Sequence, residues 1–229
     1  MIKVLQNWSE LGRMYQTLTS LDLQPHFVAQ KNFDFYFLHQ LVNPMRRTAK
    51  LVDLGCGDAG TLVFLQTLGF TDLHGIDLTI TTATRTRQLV RMARSRRLAV
   101  PYHLYQGDLT NTPFPAASFD AGICISTIEH GVPLPQFFAE AKRILKPNAW
   151  LLVTTDYWEP KITLPPSAVA DGLPWKISCK ADVEELVRLG KAAGFSLLQD
   201  DPIPPCGEPC VSWSNQRYTF VLLIFRRDA

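Results

Sequence analysis

The sequence has no strong bias of charge: 23 basic side chains stand against 21 acidic ones, for a formal charge of +2. Binding to nucleic acid draws on a strongly basic surface, so a nucleic-acid partner is not expected. Charged residues make up only 19% of the chain and apolar residues 46%, a balance that excludes intrinsic disorder. No apolar run approaches the roughly 18 residues that a membrane-spanning helix needs. The first residues, MIKVLQNWSELGR, reach polar and charged side chains too early to hold the apolar core of a signal peptide, which predicts a cytoplasmic protein. Cysteine is scarce and odd in number, five in all, and the CGEPC spacing of Cys206 and Cys210 matches no metal or redox motif. The pair reads as ordinary loop thiols, and no metal is expected. Repeats and low-complexity runs are also missing.

What is present is an alternation of strand-like and helix-like segments from Lys50 onward, within 229 residues that suit one domain with a sizeable core. Such alternation predicts an α/β fold, a doubly wound, mostly parallel sheet with helices on both faces. Strands are expected at 50–54, 72–76, 102–106, 121–125 and 150–155, and helices at 59–68, 82–97, from Pro135 onward, and 181–193. Gly194 is placed to end the last helix. Two further strands, 195–198 and 217–225, are joined closely enough to predict seven strands with an antiparallel last one. The chain divides into a helical cap (1–48), a ligand-binding core (49–156), a cap insertion (157–179) and completion of the sheet (180–229), with a loop at 201–215 adding to the cap.

The most informative segment is LVDLGCGDAG, residues 51–60, where an apolar strand ends in a carboxylate and runs into glycines that open a helix. Glycine permits a tight turn and close approach of the backbone to a ligand, and the helix start offers unpaired N–H groups. Gly55, Gly57 and Gly60 also satisfy the dinucleotide pattern G-x-G-x-x-G, with Asp77 as ribose partner, so an NAD-dependent oxidoreductase is one reading. Charge argues against it. Asp53, Asp58, Asp77 and Asp108 lie at the ligand-facing strand ends, where they repel a pyrophosphate and suit cationic groups and ribose hydroxyls. S-adenosylmethionine carries a sulfonium, an ammonium and a ribose.

On these residues the chain resembles the class I S-adenosylmethionine-dependent methyltransferases, in the small-molecule subgroup that includes quinone-biosynthesis enzymes. The resemblance covers about 51–155 and rests on VDLGCG, HGIDL, QGDLTNTPFPAASFD and CISTIEHGVPLPQFFAEAKRILKPNAWLLVTT, in that order. It implies that Asp53, Gly55, Cys56 and Gly57 surround the methionine part of the cofactor, and that Asp77 accepts hydrogen bonds from both ribose hydroxyls. It further implies Leu78 and Leu109 beside the adenine, Asp108 on its amino group, Ile125 near the cofactor, and Glu129 and His130 at the mouth of the crevice. Two positions depart from the pattern: Ala59 stands where a third glycine is usual, and Asn148 and Ala149 replace a glycine pair after Lys146 and Pro147. Asn tolerates the left-handed conformation, so that turn is expected to persist.

The implied reaction is methyl transfer to a small acceptor at a hydroxyl oxygen, with a sugar or similar metabolite as first choice. His130 or Asp156 would serve as general base. A cofactor-binding protein without catalysis is a further alternative. Tyr157, Trp158, Trp175 and Trp213 fall in the cap segments, where they either stack on an acceptor or seal the site. Arg85, Arg87, Arg91, Arg94, Arg96 and Arg97 make the second core helix basic, read as a solvated surface. Cys56 reads as a small loop residue rather than a nucleophile. The oligomeric state has no signal in the sequence.

Overall fold

The computed structural model describes residues 1–94, 102–170 and 172–229, the side chains of 91–94 excepted. The chain opens with a short strand, β1 (Ile2–Val4), followed by α1 (Trp8–Ser20), a 3-10 turn at Ala29–Lys31 and α2 (Asn32–Val42). Alternation then begins: β2 (Lys50–Leu54), α3 (Gly60–Thr67), β3 (Asp72–Asp77), α4 (Thr82–Arg94), β4 (His103–Gln106), β5 (Phe119–Ile125), α5 (Leu134–Ile144) and β6 (Leu145–Tyr157). A small hairpin, β7 (Val169–Ala170) and β8 (Leu173–Pro174), precedes α6 (Lys180–Ala192). Then come β9 (Phe195–Leu197), β10 (Val211–Trp213) and β11 (Gln216–Arg227). The expected end of the second core helix, with Arg96 and Arg97, lies outside the described residues, as do the side chains of Arg91 and Arg94.

The main sheet runs β1-β11-β6-β5-β2-β3-β4, with β9 and β10 also paired to β11. Strands β2 to β6 are mutually parallel, whereas β11 is antiparallel to β6, β1, β9 and β10. This is the expected doubly wound architecture with its antiparallel final strand, but among the described residues the sheet has nine strands rather than seven. The additions are β10 and β1. Residues 2–4 were expected to belong to a helical cap; instead Ile2 and Val4 alternate with Lys3 and pair with Leu223 and Val221. Three residues are too few for a period of two to show against a helical background. A second difference lies in β6, which starts at Leu145 rather than Trp150. Leu145 pairs with Phe119 and Trp150 with Ala121, so residues 146–149 form a bulge within a strand, not a break before it. Asn148 takes φ 65 there, in the left-handed region anticipated for it.

Alternation of side chains divides the core into two layers. Leu51, Ile123, Leu152 and Leu222 face α1, α2 and α3, while Val52, Cys124, Val153 and Val221 face α5 and α6. Strand order reverses between β2 and β5, which creates a crevice beyond their carboxyl ends, the usual ligand position in such sheets. Among the described residues, no helix is long and apolar enough to cross a membrane.

Packing on the α6 side is tight enough to specify glycine. A β-carbon on Gly190 would stand 2.9 Å from the Phe225 ring and 3.2 Å from that of Phe138. Gly190→Ala is expected to destabilise the protein by about 1–3 kcal/mol through overpacking, measured by chemical denaturation. A neutral result would show that the two rings have room to retreat.

Candidate functional site

The glycine loop is built from the strand outward. Gly55 and Cys56 donate their N–H groups to the Ile76 carbonyl at 2.8 and 3.1 Å, tying the end of β2 to that of β3. Gly55 takes φ +87, and a β-carbon there would collide with the Thr127 side chain at 2.3 Å, so the loops after β2 and β5 meet at the point of strand reversal. Gly57 has φ +45 and open space above it. Ala59 adopts φ 63 as the N-cap of α3, which therefore begins at Gly60; the departure from glycine is absorbed by a strained cap. From the N-terminal cap, His26 reaches over this loop: its ring lies 3.7 Å from where a β-carbon on Gly60 would stand.

Asp77 lies half-buried at the end of β3 and accepts from Gly57 N–H at 2.9 Å and from Thr79 N–H at 2.8 Å. Leu78, next in sequence, is 55% exposed, an apolar shelf beside the loop. Asp108 was expected at the end of a buried strand, but it is exposed and accepts from the Thr110 N–H and hydroxyl, both at 2.7 Å; Leu109 beside it is buried. Asp58 is paired outside the crevice with Arg87 at 2.8 Å. Asp53 is buried under the loop, and its Oδ2 has no hydrogen-bond partner. Burial, and then the charge of Asp77, pushes its carboxyl up to about 7, against the pull of the Thr61 hydroxyl. Burial and the same two carboxylates push the Cys56 thiol far up, the opposite of what a nucleophile requires.

The second part of the site lies beyond β5 and β6. Asp156 is buried and accepts from Trp175 Nε1 at 2.8 Å; Glu129, in the 3-10 turn Ile128–His130, is also buried, and its Oε2 has no partner. Both carboxyls are raised, first by burial; for Glu129 the negative charge of Asp156 comes next. From α2, Asp34 reaches the same region fully buried and is pushed up to about 6 by burial, with Lys31 and the Thr154 hydroxyl opposing. Lys31 Nζ donates to Ser126 Oγ, stands 3.6 Å from Asp34 Oδ2 and lies 4.4 Å above the Phe220 ring. His130 is half-buried, with Nδ1 unpaired, and favours the ionised form of Asp156.

The sequence-predicted residues thus fall into two groups. Asp53, Gly55, Cys56, Gly57, Asp77 and Leu78 come together around one loop, with Ile125 at the facing strand end, and Asp108 and Leu109 follow β4, whose end is tied to β3 by the Gly107 N–H on the Asp77 carbonyl at 2.9 Å. His130 and Asp156 meet in the other group. Tyr157 does not face it: as the last residue of β6 it is buried in the layer under α5 and α6. Trp175 does, covered edge-on by Trp213 at 4.8 Å. Lys31, Asp34 and Ser126 escaped the sequence reading. A signal existed for Asp34, a carboxylate inside the apolar run NFDFYFL, but none tied it to Asp156, 122 positions away.

The loop group fits S-adenosylmethionine. An orphaned buried carboxyl oxygen on Asp53 suits a cationic group, the space over Gly57 admits close approach, and Asp77 and exposed Leu78 suit a ribose and a flat ring.

Residues 52–153 match the family model described as a methyltransferase domain. Sterol 24-C-methyltransferase ERG6B of Gibberella zeae is 27% identical, over 97% of this chain and 65% of its own length. Cycloartenol-C-24-methyltransferase of Arabidopsis thaliana is 27% identical, over 75% of this chain and 54% of its own length. The chain therefore spans less than two thirds of either relative. Among solved structures, that of the 4+2 cyclase SpnF has a TM-score of 0.63 at 18% identity, over 100% of this chain and 98% of that one. Geranyl diphosphate methyltransferase in complex with GPP and sinefungin has a TM-score of 0.64 at 18% identity, over 85% and 76%. At these identities the structural likeness carries the fold alone.

Raised carboxyls make a stability prediction. Asp34 holds its proton in the folded state up to about pH 6, against a usual value of 3.8, so the stability it contributes is full below pH 4 and is lost as pH rises through 6. His26, His39 and His74, all lowered by burial, act in the opposite sense, so the informative quantity is a difference between variants. Asp34→Asn should gain on the wild type by roughly 2–3 kcal/mol between pH 3 and 7, seen as a growing gap in melting temperature. A constant gap would mean that Asp34 ionises freely.

Proposed function

We propose that the chain, whose residues 52–153 match a methyltransferase domain, is a class I S-adenosylmethionine-dependent methyltransferase that methylates a small, largely apolar acceptor at carbon. In this reading Asp77 holds the ribose hydroxyls, Leu78 and Leu109 flank the adenine, Asp108 takes its amino group, and Asp53, Gly55, Cys56 and Gly57 surround the methionine part, with Ile125 opposite. The cofactor supplies an electrophilic methyl group, so no covalent enzyme intermediate is required. The chain's part is to orient the acceptor, exclude water and accept a proton.

The observation that supports an acceptor losing a proton is the pair of buried carboxyls, Glu129 and Asp156, beyond β5 and β6. Burial makes each, once ionised, a stronger proton acceptor than a solvated carboxylate, and whichever of the two is ionised favours positive charge developing on a nearby carbon. Trp175 and Tyr218 are buried beside Asp156 and limit access of water. Carbon is preferred because the two relatives are named for methylation at a carbon. A hydroxyl acceptor, as expected from the sequence, would use the same carboxyls with His130. A sugar fits less well, since it seeks an open aromatic face and Trp175 is covered by Trp213 and Tyr218.

Three measurements test the reading. Asp77→Ala should weaken S-adenosylhomocysteine binding by about 1–3 kcal/mol in calorimetry; unchanged affinity, or tight NAD binding by the wild type, would sink the cofactor assignment. Incubation of cell extract with methyl-labelled cofactor, followed by NMR of the product, reads the methylated atom directly. Glu129→Gln should lower turnover by roughly 10²–10⁴-fold if Glu129 takes the proton. A variant as active as the wild type removes it from that role.

A further inference from the structure

Behind Glu129, on the α5 and α6 side of the sheet, lies a cavity of about 180 Å³ between the 3-10 turn Ile128–His130, the end of β6 and α6. Ile128, Val132, Leu134, Val183 and Leu186 give it an apolar wall. An aliphatic cavity of about 150 Å³ is known to hold benzene, so this one has the size for a single ring with a substituent. Neither the glycine loop nor residues 125–127 line it. The crevice proposed for the cofactor is therefore a different space.

Thr155 lines the cavity from the sheet and is almost wholly buried. Its hydroxyl lies near enough to the Glu129 carboxyl to ease ionisation there. Even so, Thr155 Oγ1 and Glu129 Oε2 make no hydrogen bond of normal geometry. A buried hydroxyl left in this state is costly, and a ligand that pairs with it recovers that cost. Lys176 and Asp182 stand among the lining residues 3.5 Å apart and offset each other's charge, while Asp182 also accepts from the Cys179 N–H at 2.9 Å. A charged ligand would find no unpaired counter-charge and an apolar wall, so a neutral one is favoured.

We propose that this cavity is a second small-molecule site, which takes a neutral, ring-sized molecule bearing one hydroxyl, the ring among Ile128, Val132, Val183 and Leu186 and the hydroxyl on Thr155. It does not rest on the methyl-transfer reading, and its test needs no turnover. Phenol and toluene are matched probes, differing in the hydroxyl that Thr155 would recognise. Titration of the full chain, followed by ligand-observed NMR and by melting temperature, should give saturable binding with phenol tighter than toluene by roughly fivefold or more, the worth of one hydrogen bond. Thr155→Val should abolish that preference while toluene still binds. Val132→Phe, which fills the space from a half-buried position, should weaken both probes by roughly tenfold or more, a loss that RT ln 10 sets near 1.4 kcal/mol. Circular dichroism of each variant checks folding, and Leu134→Phe serves as a second filling variant if Val132→Phe does not fold. Absence of saturable binding, equal binding to the wild type and a folded filling variant, or a phenol preference that survives Thr155→Val would each overturn the proposal.

Discussion

Four carboxyls, Asp34, Asp53, Glu129 and Asp156, are buried near the carboxyl ends of β2, β5 and β6, and the rest of the structure has to accommodate them. A carboxylate without a partner in such a place costs several kcal/mol, far more than one surface ion pair returns. Lys31 is the basic group that bears on three of the four, opposing the upward shift of Asp34, Glu129 and Asp156. One ammonium does not balance three carboxylates. The remaining accommodation is by protonation, visible as raised proton affinities, and by single hydrogen bonds from groups such as Trp175 Nε1. The region is thus expensive, and the long pairing of β6 with β11, from Trp150 to Tyr157, holds Asp156 in place within it.

The topology explains why these groups meet. In a parallel sheet the strand ends point to one side, and the reversal of order between β2 and β5 leaves a crevice that the connecting loops cannot cover. Gly55 and Thr127 close it at the bottom by direct contact, which only glycine at residue 55 permits. The N-terminal segment closes it from above, with His26 over Gly60 and Lys31 bonded to Ser126. That segment is anchored at both ends, by β1 on β11 and by α2 in the core.

Legibility from sequence followed the range of the interaction concerned. Apolar runs ending in Asp53 and Asp77, and the glycines after the first, are local signals; β2 starts and ends where it was expected, and β3 differs by one residue. Asn148 was legible for the same reason, because a left-handed conformation is a property of one residue. β1 was not, since Ile2 and Val4 become a strand only when Leu223 and Val221 are beside them. Nor was the cluster beyond β6, where Asp34 and Lys31 belong to one end of the chain and Asp156 and Trp175 to the other half. Asp108 shows the converse error: a local motif placed it correctly in the loop after β4, but its exposure depends on what the cap leaves uncovered.

Near-neutral overall charge conceals this local imbalance, and the imbalance bears on selectivity. Asp53 resists ionisation because burial and Asp77 both oppose it, so an anionic ligand at the loop would raise its cost further and a cationic one would lower it. Each unit by which a ligand lowers that proton affinity contributes about 1.4 kcal/mol to its own binding. The energy stored in an awkward carboxyl is in this way released selectively, to a ligand of the right sign. On the proposed reading the gain falls once the ligand's sulfonium charge has been spent in methyl transfer. Asp53 then holds the product less tightly than the cofactor, and the same buried group that favours loading also favours release.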